Sequence, residues 1–139
     1  MKKALLYIWQ LPQNLLGLLV IAVTRAVLDT GFMGFGYFYY RSRLHNCDFG
    51  VCLGEYIIFG EASASQVSWQ HEAGHRKQSR MLGPLYLVLV GLPSVARNIW
   101  NRLVHKSWSN IHRDMWYYSG YPERWADKLG GVNRGIVNR

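Results

Sequence analysis

The chain has 139 residues and a formal charge of +8, from 16 Lys and Arg against eight Asp and Glu. Half of the residues are hydrophobic and 14% are aromatic, which excludes an intrinsically disordered protein and predicts a chain able to bury a core. The positive charge suits an anionic partner. Because apolar stretches are plentiful and no basic recognition pattern is present, we predict membrane lipid as a partner and no nucleic acid.

The N-terminal segment, residues 4–23, is largely apolar, and we predict an apolar helix that associates with a membrane. Gln10, Gln13 and Asn14 interrupt it, so a shallow anchor competes with a true span, and a buried core helix remains an alternative. No small-x-small cleavage site follows, so we expect the segment to be retained. With the glycine- and aromatic-rich connector after it, residues 1–45 form one predicted unit and residues 46–139 a second.

Residues 49–59 are rich in apolar side chains, are punctuated by Gly50 and Gly54, and predict a strand or short hairpin. Its edge could accept an extended peptide by main-chain hydrogen bonding, or it could be a core strand only. Cys47 and Cys52 could close one small disulfide loop or stay as free thiols, and two cysteines are a weak metal signature.

A helix is predicted next, because Ser63-x-x-Gln66 fits a capping box and Gly83-Pro84 is a stop signal after Leu82. Gly74 lowers the helix propensity by about 1 kcal/mol relative to alanine. A glycine at this position indicates that another backbone, or a substrate, packs closely against the helix.

The sequence H-E-A-G-H, residues 71–75, lies in the middle of this predicted helix. Residues four apart share a helical face, so the imidazoles of His71 and His75 can converge on one Zn²⁺. Glu72 lies beside them and could take the proton from a zinc-bound water, because the ion lowers the pKa of that water toward about 7. The pattern therefore predicts a catalytic zinc site.

Residues 85–96 form a second apolar stretch, which Gly91 and Pro93 are expected to break. Twelve residues are too few to span a bilayer, so a re-entrant wedge, a partner for the N-terminal helix and ordinary core are all open. Residues 97–108 mix Trp with Arg, Lys and His and are typical of an interfacial amphipathic helix.

A short helix is predicted between Pro122 and the Gly130-Gly131 pair. Glu123 and Asp127 share one face of it, so one carboxylate can bind metal while the other accepts the N–H of a ligating histidine. Alternatively, Glu123 interacts with the helix dipole and Asp127 is a surface charge.

Together, H-E-A-G-H and E-R-W-A-D, residues 123–127, resemble the H-E-x-x-H plus E-x-x-x-D signature of the gluzincin zinc metallopeptidases. The form E-x-x-A-D is most similar to the membrane-bound heat-shock and CAAX-processing peptidases. The resemblance implies that His71, His75 and Glu123 bind zinc, that Glu72 is the general base, and that Asp127 orients a ligand histidine.

A His or Tyr often stabilises the oxyanion in gluzincins. The resemblance makes Tyr121 and His112 the first candidates here, with His105, Tyr117 and Tyr118 open.

Residues 50–132 also resemble a bacterial metallopeptidase-like segment found near Rhs-repeat proteins, which implies a minimal zincin core without a large second domain. We therefore expect a predominantly helical α+β fold. The expected function is a zinc metallopeptidase that acts on a peptide or protein substrate at a bacterial inner membrane. The alternative is a non-catalytic membrane or toxin-associated module with a structural or vestigial zinc site.

Overall fold

The structure is a computed structural model that describes residues 3–28, 38–41, 43, 49–60 and 65–135. It confirms the predicted predominantly helical α+β fold. The helices of the described residues are α1 (Lys3–Trp9), α2 (Leu11–Thr24), α3 (Gln66–Leu82), α4 (Leu92–Val104), α5 (Asn110–Ser119) and α6 (Glu123–Gly130). The strands are β1 (Val27–Leu28), β2 (Phe38–Arg41), β3 (Gly50–Leu53) and β4 (Tyr56–Phe59).

The strands form one sheet in the order β1-β2-β4-β3. The antiparallel pair β3 and β4 is the predicted hairpin, and its turn contains Gly54 at φ 67°. β2 runs parallel to β4, and β1 pairs with β2. The boundary predicted after residue 45 therefore falls between strands of one sheet.

The core lies between the sheet and α3. Ile57 and Phe59 of β4 are fully buried, and they pack with Cys52, Trp69 and Ala73. Burying a side chain such as Ile or Phe contributes about 1.5–3 kcal/mol. Cys52 is a free, buried thiol, so the disulfide alternative does not hold, and its predicted partner Cys47 lies outside the described residues.

The N-terminal segment forms two helices instead of one, bent by 86° between α1 and α2. The polar residues at and after the bend are fully buried inside the protein. Gln13 Nε2 donates to Ser79 Oγ at 3.0 Å and to the Gly83 carbonyl at 2.8 Å. Asn14 Oδ1 accepts from the Glu55 amide at 2.8 Å. These side chains, which interrupt the apolar pattern, attach the segment to α3 and to the β3–β4 turn.

In the described part of the chain, no single helix reaches the length and apolar character needed to cross a bilayer, whereas the bent pair α1 and α2 reaches them together.

The region after α3 stays helical, contrary to the break expected at Gly91 and Pro93. A 3₁₀ turn (Gly83–Leu85) and a π-helical turn (Leu87–Gly91) lead directly into α4. Pro93 falls in the first turn of α4, where its missing N–H is not needed, and Gly91 takes a helical conformation with φ −58°.

A buried charge cluster joins the hairpin turn to α3. The Glu55 carboxylate accepts hydrogen bonds from Arg80, at 2.9 Å from both Nε and Nη2, and from buried Arg76. Gln10 of the N-terminal segment donates to the same carboxylate at 2.8 Å. Burial alone would raise the pKa of Glu55, but these hydrogen bonds lower it from 4.5 to about 2.

We expect Glu55→Gln to lower the free energy of unfolding by about 2 kcal/mol at pH 7, because the ion pairs of the Glu55 carboxylate with Arg76 and Arg80 are lost. The folded-state pKa of about 2 lies below the ordinary value of 4.5. The carboxylate therefore contributes its full stabilisation above pH 4.5 and loses it as the pH falls toward 2. Urea unfolding at pH 7 and pH 3 should show the difference between wild type and variant shrinking at the lower pH.

The matched control is Asp114→Asn, which neutralises an exposed carboxylate on α5. It should change the free energy of unfolding by less than about 0.5 kcal/mol. An equal loss in both variants would contradict the role given to Glu55.

Candidate metal centre

Helix α3 carries the H-E-A-G-H motif in its middle, as predicted. The Ser65 hydroxyl caps it by accepting from the Ser68 amide at 3.1 Å, so the cap is two residues later than expected. Ser63 lies outside the described residues. The helix ends at Leu82, and Gly83 follows with φ 54°, as the stop signal indicated.

Two glycines bring α3 and α6 into backbone contact. A β-carbon on Gly74 would overlap the Ala126 carbonyl, and one on Gly130 would overlap the Gln70 carbonyl. The prediction that a backbone packs against Gly74 is confirmed. This close approach is what allows side chains of the short helix α6 to reach the motif histidines.

Three predicted ligands meet at one point. His71 Nε2 lies 2.9 Å from Glu123 Oε2, and His75 Nε2 lies 3.1 Å from the same oxygen. The two Nε2 atoms are 3.1 Å apart. All three side chains are buried. The structure thus brings together the two helix histidines and the downstream glutamate.

The hydrogen bonds of the two Nδ1 atoms determine whether the Nε2 atoms of His71 and His75 can act as ligands. His71 Nδ1 lies 2.6 Å from Asp127 Oδ1, and His75 Nδ1 lies 2.7 Å from Gln78 Oε1. The Gln78 amide is oriented because its Nε2 donates to the Pro122 carbonyl at 3.2 Å. Both Nδ1 atoms therefore donate their protons to oxygen, which leaves both Nε2 atoms as acceptors in the neutral rings. With both rings neutral, three acceptors converge, and such a group is held together either by a metal ion or by an additional proton on one ring.

The spacing fits a small tetrahedral ion. Ligand atoms at about 2.0–2.1 Å from Zn²⁺ lie about 3.3–3.4 Å apart along a tetrahedral edge. The three observed separations of 2.9–3.1 Å are a few tenths of an ångström shorter. No large side-chain movement is needed to admit the ion, and two imidazoles with one carboxylate are a donor set that zinc accepts.

The hydrogen bonds within the cluster shift the pKa values of His71 and Glu123 in opposite directions. Burial lowers the pKa of His71, but hydrogen bonds to Asp127 and Glu123 outweigh it and raise that pKa to about 9. Burial raises the pKa of Glu123, but hydrogen bonds to the two histidines hold it well below its usual range. The metal-free cluster therefore keeps a proton where a metal ion would bring positive charge.

Glu72 lies beside the three ligands and takes no part in the hydrogen bonds among them. Its side chain is buried, and Oε2 has no hydrogen-bond partner among the described residues. Burial raises the pKa of this carboxyl. A β-carbon on Gly50 of β3 would lie 2.8 Å from Glu72 Oε1, so the missing side chain at position 50 leaves room for this carboxylate.

Asp127, the predicted orienting residue, has a partner of its own. Arg134, which follows α6, donates to Asp127 Oδ2 at 2.6 Å and to Oδ1 at 2.9 Å. The Arg134 guanidinium lies 3.3 Å from the centroid of the Tyr118 ring. The Tyr118 ring meets the His71 imidazole edge to face, with centroids 5.1 Å apart. This chain of contacts fixes His71 from two sides.

A cavity of about 1150 Å³ opens from the cluster. His71, Glu72, His75 and Glu123 all line it, so the cluster is accessible from one side. The opposite wall comes from α4 and α5, and β3 forms a third side. A three-ligand site that faces a cavity has room for a fourth, exchangeable ligand.

Neither preferred oxyanion candidate lines the cavity that opens from the cluster, and their role stays a prediction. Tyr121 is half exposed, and its hydroxyl donates to the Leu89 carbonyl at 2.5 Å. His112 is exposed in the first turn of α5, where it lies 2.9 Å from Ser109 Oγ. Tyr117 and Tyr118 line the cavity instead. Burial raises the pKa of Tyr118 to about 12, so its hydroxyl keeps its proton.

Sequence reasoning missed two residues that hold the cluster. Gln78 lies three residues after His75 on the same helix, so helical spacing could have identified it. Arg134 lies beyond the end of α6, where no periodicity relates it to Asp127.

No protein-family model, curated protein or solved structure matches the chain. The gluzincin resemblance therefore remains a prediction.

We expect Gly74→Ala to separate α3 from α6, because the new methyl group would occupy the place of the Ala126 carbonyl. The free energy of unfolding should fall by about 1–3 kcal/mol. Zinc affinity should fall about tenfold or more, because Glu123 moves with α6. Chemical denaturation and zinc titration against a competing chelator measure the two effects.

Gly91→Ala is the matched control. It also adds a methyl group to a helical glycine, but the nearest atom would be 3.7 Å away, an ordinary contact. Its stability should stay the same or rise by less than about 1 kcal/mol, with zinc affinity unchanged. Equal behaviour of the two variants would argue against a helix contact that sets the ligand geometry.

Proposed function

We propose that this chain is a zinc-dependent metallopeptidase that hydrolyses peptide bonds at a membrane surface. The observation that carries the proposal is the convergence of His71 Nε2, His75 Nε2 and Glu123 Oε2, with both Nδ1 protons already donated elsewhere. Zinc bound there would polarise a substrate carbonyl and acidify the attacking water. The same convergence agrees with the ligand set that the gluzincin resemblance implies.

Glu72 is the general base in this proposal. Its buried Oε2 has no partner among the described residues, so it is available to take a proton from the attacking water and to pass it to the leaving amine. Burial raises its pKa, which makes the carboxylate a stronger base. The phenol groups of Tyr117 and Tyr118 line the same cavity and keep their protons at neutral pH.

A peptide substrate is favoured by the position of β3. This strand is at the end of the sheet order in the described residues, and all four of its residues line the cavity. The outer edge of such a strand can pair with an extended chain through main-chain hydrogen bonds. In β3 one group of this edge, the Cys52 carbonyl, already accepts from the Tyr86 hydroxyl at 3.0 Å. A substrate paired there would lie along the cavity that contains the cluster.

Membrane association is favoured by helices whose polar sides face inward. In α2, Gln13, Asn14 and Gly17 are buried, while Leu15, Leu19 and Val23 are exposed. In α4, Asn98, Asn101 and Arg102 line the cavity. The other side of α4 exposes Ile99 and Leu103. Apolar surface on two helices, with buried polar groups behind it, is typical of a protein that contacts lipid.

The non-catalytic alternative, with a structural or vestigial zinc site, predicts a closed coordination sphere. A cluster that faces a cavity of about 1150 Å³ favours the enzyme.

We expect Glu72→Gln to retain one equivalent of zinc and to lower the hydrolysis of labelled casein by about 10²–10⁴-fold, because the base is lost and the ligands remain. His71→Ala and Glu123→Ala should each lose the zinc. Metal analysis of the purified proteins and a fluorescence cleavage assay measure these outcomes.

Lys128→Gln, on the exposed side of α6, is the control and should keep both the zinc and the activity. Full cleavage by Glu72→Gln would reject the mechanism. Wild-type protein that binds no zinc would reject the metal site, and zinc without any cleavage would support the structural alternative.

For the membrane, we expect the double variant Ile99→Ser with Leu103→Ser to bind vesicles about 10²-fold more weakly, because two exposed apolar side chains lose their burial in lipid. Sedimentation with vesicles of phosphatidylcholine and phosphatidylglycerol measures it. Ser107→Ala with Asn110→Ala changes exposed polar residues nearby and should leave binding unchanged. Equal binding by all three proteins would reject a lipid-facing α4.

A further inference from the structure

The cavity extends beyond the metal ligands to the junction of α4 and α5. Two arginines line it there, Arg102 from α4 and Arg113 from α5. The same cavity is therefore lined by a cluster suited to a cation and by two arginines.

The junction fixes the backbone positions of the two arginines relative to each other. Asn101, the neighbour of Arg102, donates from Nδ2 to the Arg113 carbonyl at 3.3 Å. Asn101 Oδ1 lies 3.3 Å from His105 Nδ1, and the His105 ring stacks on Trp108 with centroids 3.9 Å apart. The backbones that carry the two guanidinium groups are thus fixed to each other by side chains that leave the guanidinium groups free to bind.

Within the described parts of the chain, the Arg102 side chain is exposed and that of Arg113 is partly buried. No ion pair there includes Arg102 or Arg113, and the buried Nε of Arg113 has no hydrogen-bond acceptor. Asp114, which also lines the cavity, is exposed and pairs with neither. A buried guanidinium N–H without an acceptor is unfavourable, and a carboxylate is the acceptor whose two oxygens match its geometry.

We propose that Arg102 and Arg113 form a subsite for a carboxylate of the peptide substrate, either an acidic side chain or the C-terminal carboxylate. The proposal rests on the peptidase function proposed above and specifies the substrate. A peptide that places its carboxylate at the arginines and lies against β3 extends toward the cluster of His71, His75 and Glu123. The enzyme then selects peptides with a negative charge at a fixed distance from the cleaved bond.

A peptide is favoured over a lipid headgroup by the side of α4 that carries the subsite. Arg102 lines the cavity together with Ser94 and Asn98. The apolar side chains proposed to meet lipid, Ile99 and Leu103, lie on the other side of the helix and are 52% and 68% exposed. A lipid phosphate bound at the arginines would have to leave the membrane side of the helix and enter the cavity.

The test uses two sets of fluorescein-labelled octapeptides of alanine and valine, with one glutamate or one glutamine moved through the positions. Half of each set carries an amidated C-terminus. Binding to the full chain is measured by fluorescence anisotropy in the presence of a chelator, so the readout needs no metal. We expect wild type to bind at least one glutamate or free-carboxylate peptide about tenfold more tightly than its uncharged partner. Arg113→Gln and Arg102→Gln should each abolish most of that preference, and Arg113→Lys should retain part of it.

Arg124→Gln removes an equal charge from the exposed side of α6, away from the cavity, and should keep the preference. Equal binding of charged and uncharged peptides by wild type, or no peptide binding at roughly 1 mM, would overturn the proposal. An equal loss of the carboxylate preference in Arg113→Gln and Arg124→Gln would mean that the net charge of the protein alone causes it. Weaker binding of the Arg113 variant to anionic vesicles, with peptide binding unchanged, would assign the arginines to lipid.

Zinc binding and casein cleavage by the same variants separate the two proposals. Intact zinc binding and cleavage without any carboxylate preference rejects only the subsite. A carboxylate preference in a protein that binds no zinc rejects only the peptidase.

Discussion

The contact between the backbones of α3 and α6 is the constraint on which the candidate metal centre depends. Gly74 and Gly130 remove the two β-carbons that would keep these helices apart. Helix axes are usually 8–10 Å apart, at distances set by the side chains between them, and glycine permits a closer approach. A glutamate has a short side chain, so Glu123 reaches both histidines only because its helix is this near. Asp127, one turn later, then reaches the far side of His71.

The rest of the fold supports α3 from its other sides. The hairpin packs Phe59 and Cys52 beneath it, and Gly50 leaves space for Glu72. The N-terminal helices and the hairpin turn hold the later half of α3 through Ser79 and the Glu55 cluster. The hairpin, the N-terminal helices and α6 therefore all contact the helix that carries the motif, and a change in any of them can move the ligands.

Most features that depend on local residue spacing and on turn residues could be predicted from the sequence. The spacing of His71 and His75, the carboxylate pair of α6, the helix end at Gly83 and the hairpin all follow from periodicity and turn chemistry. Features that depend on contacts between distant parts of the chain could not be predicted from local spacing. Gln13 and Asn14 looked like a penalty for membrane insertion, but they are buried hydrogen-bonding anchors, because composition does not show which side of a helix faces inward. Tyr121 was preferred for its nearness in sequence to Glu123, but its hydroxyl points to Leu89.

The anchors of the N-terminal helices have a consequence for biosynthesis. Gln13 bonds to groups 66 and 70 residues further along the chain. A ribosome adds about 5–20 residues per second, so α1 and α2 are complete several seconds before Ser79 and Gly83 exist. During that interval the Gln13 amide lacks both of these partners, while the exposed leucines of the two helices already form an apolar surface. Docking of α1 and α2 onto α3 can therefore begin only after α3 has been synthesised.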